Sequence, residues 1–184
     1  MILLISKTDF SDFRYISEHI SSEKRLDQYI REAQMFDLME LMGRAFFYHV
    51  LDDAENSPTS QATLDLLSGV DYTDNYGHLI KFEGLKPVLV YFSYARFLAN
   101  QNVTASSMGI VQKKNEFSDP VDEKTLQRLI TQARSSALAY WSQAECYLRE
   151  MKRIDSTAYS IWNSFSEKRT SKTSFGITAI GKGL

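Results

Sequence analysis

The sequence predicts a mainly α protein: a small helical bundle with one long C-terminal helix, a small β-hairpin or arm, and an extended C-terminal tail. Three observations carry this reading. From Asp122 to about Arg153, apolar residues recur three and four apart, through Leu126, Leu129, Ala133, Ala137, Trp141, Ala144, Leu148 and Met151, without a Pro or Gly. Residues 70–84, "VDYTDNYGHLIKFEG", switch to a short period around an Asp-Asn-Tyr-Gly turn, the signature of a hairpin. The closing "TSFGITAIGKGL" separates its apolar residues with glycines and has no helical spacing. The organisation is thus one helical domain over 1–165, with arms at 70–84 and 101–120, followed by a tail over 166–184.

The remaining elements follow from local punctuation. After "MILLIS", the stretches "TDF" and "SDF" each offer a Ser or Thr cap for a first short turn. Leu26, Tyr29, Ile30, Ala33 and Phe36 start an apolar stripe that runs through Leu38, Leu41 and Met42 to Gly43, where glycine can end the helix in a left-handed conformation. "RAFFYHVLDDA" and "TSQATLDLLSG" read as two further helices on either side of the polar "ENSPTS". "LKPVLVYFSYARFLAN" is apolar on nearly every side except at Lys86, Ser93 and Arg96, which predicts the central buried helix, with Pro87 tolerated in its first turn. Residues 101–120 are too long for a plain loop in a compact domain, and "MGIVQ" reads as a strand within an arm. The long helix would reach roughly 45 Å at about 1.5 Å per residue, more than a core of this size uses, so part of it should pack on something else. "STAYSIWNSF" suggests a last short helix capped by Ser156.

Composition narrows the function classes. With 184 residues, 43% of them hydrophobic and 12% aromatic, the chain can bury a core of its own, which argues against a disordered protein. Its formal net charge of -2 lacks the basic field of a non-specific DNA binder. That charge is unevenly spread. Lys168, Arg169, Lys172 and Lys182 against Glu167 give residues 166–184 a net +3, leaving the rest of the chain at -5. A single cysteine, Cys146, rules out an internal disulfide and fits a reducing cytoplasm. "MILLIS" is too short for a signal-peptide core, and no apolar run approaches a membrane span, so no membrane association is expected.

The chemistry-bearing motifs are few. The chain contains no phosphate-binding glycine loop, no zinc-protease helix and no nucleophile elbow. His19, His49 and His78 fall in three separate elements without ligand spacing, so neither metal nor cofactor is expected. "DYTDNYG" resembles a calcium loop, but Phe82 occupies the twelfth position where an acidic ligand belongs. Asp52 and Asp53 point about 100° apart on a helix and read as a solvated helix end. Cys146 lies beside the apolar stripe and reads as a buried, inert thiol.

Five words in order, "LLISKTDF", "IREAQMFDL" with "LMGRAFF", "GLKPVLVYFSYARFL", "MGIVQKKNEFS" and "ARSSALAYW", give the chain a family likeness over roughly residues 2–150. In them it resembles the helical head–tail connector proteins of tailed phages and prophages of Bacteroides-type hosts, including the crAss-like phages. The resemblance implies a structural virion protein without enzymatic activity, found in the virion neck at the portal vertex and in the host cytoplasm during assembly. It implies a ring, commonly dodecameric, that docks on the portal protein, extends the DNA channel with non-specific contact to DNA, and meets further neck or tail proteins. It also implies arms that touch adjacent copies, here Tyr72, Tyr76 and Phe82 in one and Met108, Ile110 and Phe117 in the other.

The tail is the predicted partner-binding segment, through Lys168, Arg169 and Lys172 with Phe175, Ile177, Ile180 and Leu184. Spaced this way, the segment suits strand addition to a sheet edge or groove of the portal or a neighbour, disordered in the free protein and ordered on assembly. A helical adaptor module of a cell, binding a protein partner through the same tail, is the alternative reading.

Overall fold

The computed structural model describes residues 2–14, 23–100, 103–106, 109–112, 122–157 and 159–162. Helix α1 (Lys7–Phe13) begins after Ser6, not at Thr8 or Ser11 as the sequence suggests, because Asp9 turns back to cap it. The Asp9 carboxylate accepts the Ser6 amide at 2.7 Å and the Ser6 hydroxyl at 2.8 Å, and Lys86 joins it at 2.9 Å. That ion pair ties the first helix to the start of the central one.

The next helix is continuous from α2 (Glu23–Glu32) through a π-helical segment (Ala33–Leu38) to α3 (Met39–Met42), ending at Gly43 with φ 83°. The π-helical winding rotates the apolar stripe out of phase with a regular α-helix. Phe36, expected on the buried face, is 61% exposed, while Gln34 and Leu38 are fully buried. Gln34 then acts as a one-residue strand: its Oε1 accepts the Leu4 amide at 3.0 Å and its Nε2 donates to the Ile2 carbonyl at 3.0 Å. Both ends of a buried amide are thereby satisfied, and the N-terminal segment is fastened to the bundle.

Helices α4 (Arg44–Glu55) and α5 (Gln61–Ser68) are joined by a turn in which Asp53 accepts both the amide and the hydroxyl of Ser60, the N-cap of α5. Asp53 is therefore a bridging residue and not a merely solvated helix end. Strands β1 (Val70–Thr73) and β2 (Leu79–Phe82) form an antiparallel hairpin, as the change of period predicts. Helix α6 (Lys86–Asn100) is the central element, burying Val88, Leu89, Val90, Phe92 and Leu98. Ser93 was expected on a polar side but is fully buried, its hydroxyl without a partner among the described residues. Arg96 does emerge, and grips Asp37 with two hydrogen bonds of 2.6 and 3.1 Å.

The second arm contains an antiparallel pair, β3 (Val103–Ser106) and β4 (Gly109–Gln112). Helix α7 (Glu123–Ile154) is capped by Asp122, which accepts the Thr125 amide at 3.1 Å. At 32 residues it spans about 48 Å at ~1.5 Å per residue, and it packs mainly along α6. Burial is uneven along it. Leu126, Leu129 and Ile130 are only half-buried, and the fully buried positions begin at Ala133. Residues 156–157 and 159–161 form turns where the sequence predicts a final helix, and Asp155, the C-cap of α7, accepts the Thr157 amide at 2.8 Å; residues 158 and 163–165 of that expected helix lie outside the described residues. Trp162 is buried at the end of these turns, and its carbonyl accepts Lys152 Nζ at 2.8 Å.

Candidate functional site

The β1–β2 hairpin and the face of α7 beneath it form the most developed surface feature among the described residues. Pairing of Val70 with Phe82 and of Tyr72 with Ile80 places these four on one face by the two-residue period of a strand. That face meets α7 through Tyr147. The Phe82 ring stacks on Tyr147 with centroids 4.4 Å apart, and Tyr72 meets it edge-on at 5.3 Å. Tyr147 in turn packs edge-on to Tyr159 at 6.2 Å. Since the Tyr159 hydroxyl donates to the Ala62 carbonyl at 3.0 Å, the Tyr147 hydroxyl is the donor in the 3.3 Å contact between the two phenols. Burial pushes both phenols above their ordinary range, so the network stays protonated. A single aromatic cluster thus joins the hairpin, α5, α7 and the C-terminal turns.

Two glycines bring the two ends of the hairpin together at its base. Gly69 has φ +89° and Gly84 φ +79°, a left-handed backbone that disfavours any side chain. A Cβ on Gly84 would stand 2.4 Å from the Leu67 carbonyl oxygen, and one on Gly69 would stand 2.2 Å from that of Phe82. The close approach also lets the Leu85 amide donate to Leu66 O at 3.0 Å.

At the other end, Asp74 organises the turn. Its carboxylate accepts the amides of Tyr76 and His78 at 2.9 and 2.8 Å, and its other oxygen meets His78 Nδ1 at 3.1 Å. The His78 amide first, with its side chain and the Tyr76 amide, holds the Asp74 carboxyl below its ordinary value. Burial fades from base to tip: Phe82 is 5% exposed, Leu79 68% and Tyr76 80%.

Where the hairpin stands off from α7, an open groove of about 500 Å³ remains. Tyr72 and Ile80 supply apolar surface on the hairpin side, while Ser142, Cys146, Arg149 and Glu150 form the α7 side. Cys146 is exposed, which corrects the expectation of a buried thiol: it lies one residue before Tyr147, on the side of α7 that the hairpin overhangs without covering. Burial, then the neighbouring Cys146 and Glu150, raise the Tyr72 phenol, leaving it a neutral hydrogen-bonding group in the groove. Among the described residues no cluster of three His, Cys, Asp or Glu could hold a metal ion, and no helix is long and apolar enough to cross a membrane. The groove has the size of a ligand site of about 300–1,000 Å³. Among the described strands β1 and β2 pair only with each other, so main-chain groups on the hairpin's outer edges are open to another strand.

The predicted contact residues separate in this geometry. Tyr76 is a free tip residue. Phe82 is 5% exposed, with its ring stacked on Tyr147 at the edge of the groove. Tyr72 is half-committed, one edge on Tyr147 and the rest in the groove. Ile110 lies in β4 and pairs with Ala105. Met108, Phe117 and the tail residues Lys168, Arg169, Lys172, Phe175, Ile177, Ile180 and Leu184 lie outside the described residues. Sequence reasoning missed Tyr147 as the hub of the hairpin. Its only signal was an aromatic at the point where the long stripe passes the predicted hairpin.

Fold and groove together define a mainly helical bundle that carries a clamped hairpin with an open groove beneath it. A family model described as a family of unknown function, DUF6712, matches residues 38–171. The chain belongs to that family. No curated protein and no solved structure matches it.

Proposed function

We propose that this chain is a structural, non-enzymatic virion protein: a head–tail connector, or neck-ring, subunit. It docks on the portal protein at the portal vertex, extends the DNA channel with non-specific DNA contact, and links the capsid to further neck and tail proteins. The ring is dodecameric on the pattern of the connectors it resembles. The observation that carries the reading is the surplus of apolar surface on well-formed elements. Tyr76 and Leu79 are exposed on a hairpin whose base is locked, and the first turns of α7 extend beyond the deep core. A ring has neighbours to cover such surfaces repeatedly around its closure. The five sequence words shared with phage connectors supply the particular assembly.

The test is reconstitution with a portal ring from the same genome as this chain. The purified chain should be monomeric or ring-forming by light scattering and should bind the portal ring, and a variant without residues 166–184 should lose that binding, because copies that no longer close into a ring meet the portal singly. Unchanged portal affinity in the truncated variant would remove the tail from the interface. Failure of the full chain to bind the portal at all, with binding to a cellular protein instead, would favour the adaptor module.

A further inference from the structure

We propose that the groove between the β1–β2 hairpin and α7 receives residues 173–184 of a second copy of this chain, laid as an extended strand along a free edge of the hairpin. This deepens the ring reading and rests on it, by naming the neighbouring subunit as the tail's dock. The groove has the parts that strand addition uses. Its apolar wall is Tyr72 and Ile80, its rim carries Arg149 and Glu150, and the strands beside it have unpaired outer edges among the described residues. The segment supplies the complement. Phe175 and Ile177 are two residues apart, so both face one side of an extended chain, and Gly176 between them lets the backbones approach.

Three observations point to a second copy as the source. Residues 166–184 carry a net +3 while the remainder of the chain carries -5, so the tail is complementary in charge to the body of this chain, which every other copy presents as well. The described chain ends at Trp162, anchored to α7 at Lys152, and residues 163–172 span at most about 35 Å when extended, which bounds how far away the groove they serve can lie. The hairpin tip is also exposed on Tyr76 and Leu79, apolar surface that a strand arriving from outside would cover. Repeated around a ring, each tail fills the next groove and the contact closes on itself.

Cys146 lines the groove and is the chain's one cysteine, which makes it a built-in probe. The first arm adds a synthetic peptide of residues 173–184, carrying Thr178→Cys as a mixed disulfide, to the full wild-type chain. It should label Cys146 faster than a scrambled peptide with the same activated cysteine by about a factor of ten or more. In an Ile80→Glu chain whose circular dichroism is unchanged, the advantage should disappear. The second arm oxidises full-length Thr178→Cys protein. Linked dimers and higher multimers should appear on a non-reducing gel and increase with protein concentration. Labelling no faster than the scrambled peptide overturns the dock, and a link formed only within one chain overturns the second copy as its source. Both arms use the protein alone, so their outcome is independent of whether the chain binds a portal.

Discussion

The two ends of one hairpin are built on different principles. At its base, Phe82 and Tyr72 pack on Tyr147, and two glycines allow backbone to touch backbone. At its tip, a single carboxylate organises a turn whose apolar residues remain in solvent. The base is a core element stabilised by buried apolar area and close packing. The tip is a presented surface, held in shape by local hydrogen bonds. Buried packing and exposed apolar surface are thus separated along four residues of strand.

That separation can be broken from the base upwards. Phe82→Ala removes the stacked ring and should cost about 3–5 kcal/mol of folding stability in chemical denaturation. A loss below ~1 kcal/mol would mean that the hairpin is not anchored through this cluster. The glycines provide a paired comparison. Gly84→Ala combines a positive φ with a Cβ 2.4 Å from backbone and should cost about 3 kcal/mol. Gly77→Ala at the tip has a positive φ but nothing within 4 Å, and should cost only about 1–2 kcal/mol. Equal losses would erase the distinction between the two ends.

Acid should act on the tip selectively. The folded Asp74 carboxyl lies below its ordinary value of 3.8. Its stabilising contribution is therefore complete above the unfolded value and is lost as pH falls through the lower folded one. Protection of the Tyr76 and His78 amides, taken as exchange relative to the unstructured rate at each pH, should fall in that interval before protection in α7 does, and a simultaneous fall would show that the turn is not a separate unit. The smallest stability effect belongs to Tyr76→Ser, within about 0.5 kcal/mol of the parent, because the ring is already in solvent. The same substitution should weaken assembly in sedimentation experiments, and unchanged assembly would leave the tip without a role.

Much of this architecture is readable from residue spacing. The stripes that form α6 and α7, the glycine that ends α3, and the Asp-Asn-Tyr-Gly hairpin all act locally, and local sequence reports them. What escaped depends on contacts far apart in the chain. The π-helical segment exchanges Phe36 for Gln34 on the buried face because residues 2–4, 30 to 32 positions away, lie against it. Cys146 is exposed and Phe82 buried for one reason: the hairpin tilts onto Tyr147 at its base and away from α7 at its tip. A period-two pattern shows which residues share a strand face, but it does not show how much of that face is covered. On the hairpin named from the sequence, Tyr76 is therefore exposed, Tyr72 half-buried and Phe82 buried.

The central claim is that this protein forms a ring in the neck of a virion. Cryo-electron microscopy of the particles that carry it is the most direct test. The account predicts copies of this fold closed into a ring beneath the portal, each hairpin groove occupied by residues 173–184 of a neighbour. Intact particles whose portal vertex lacks this fold would contradict it.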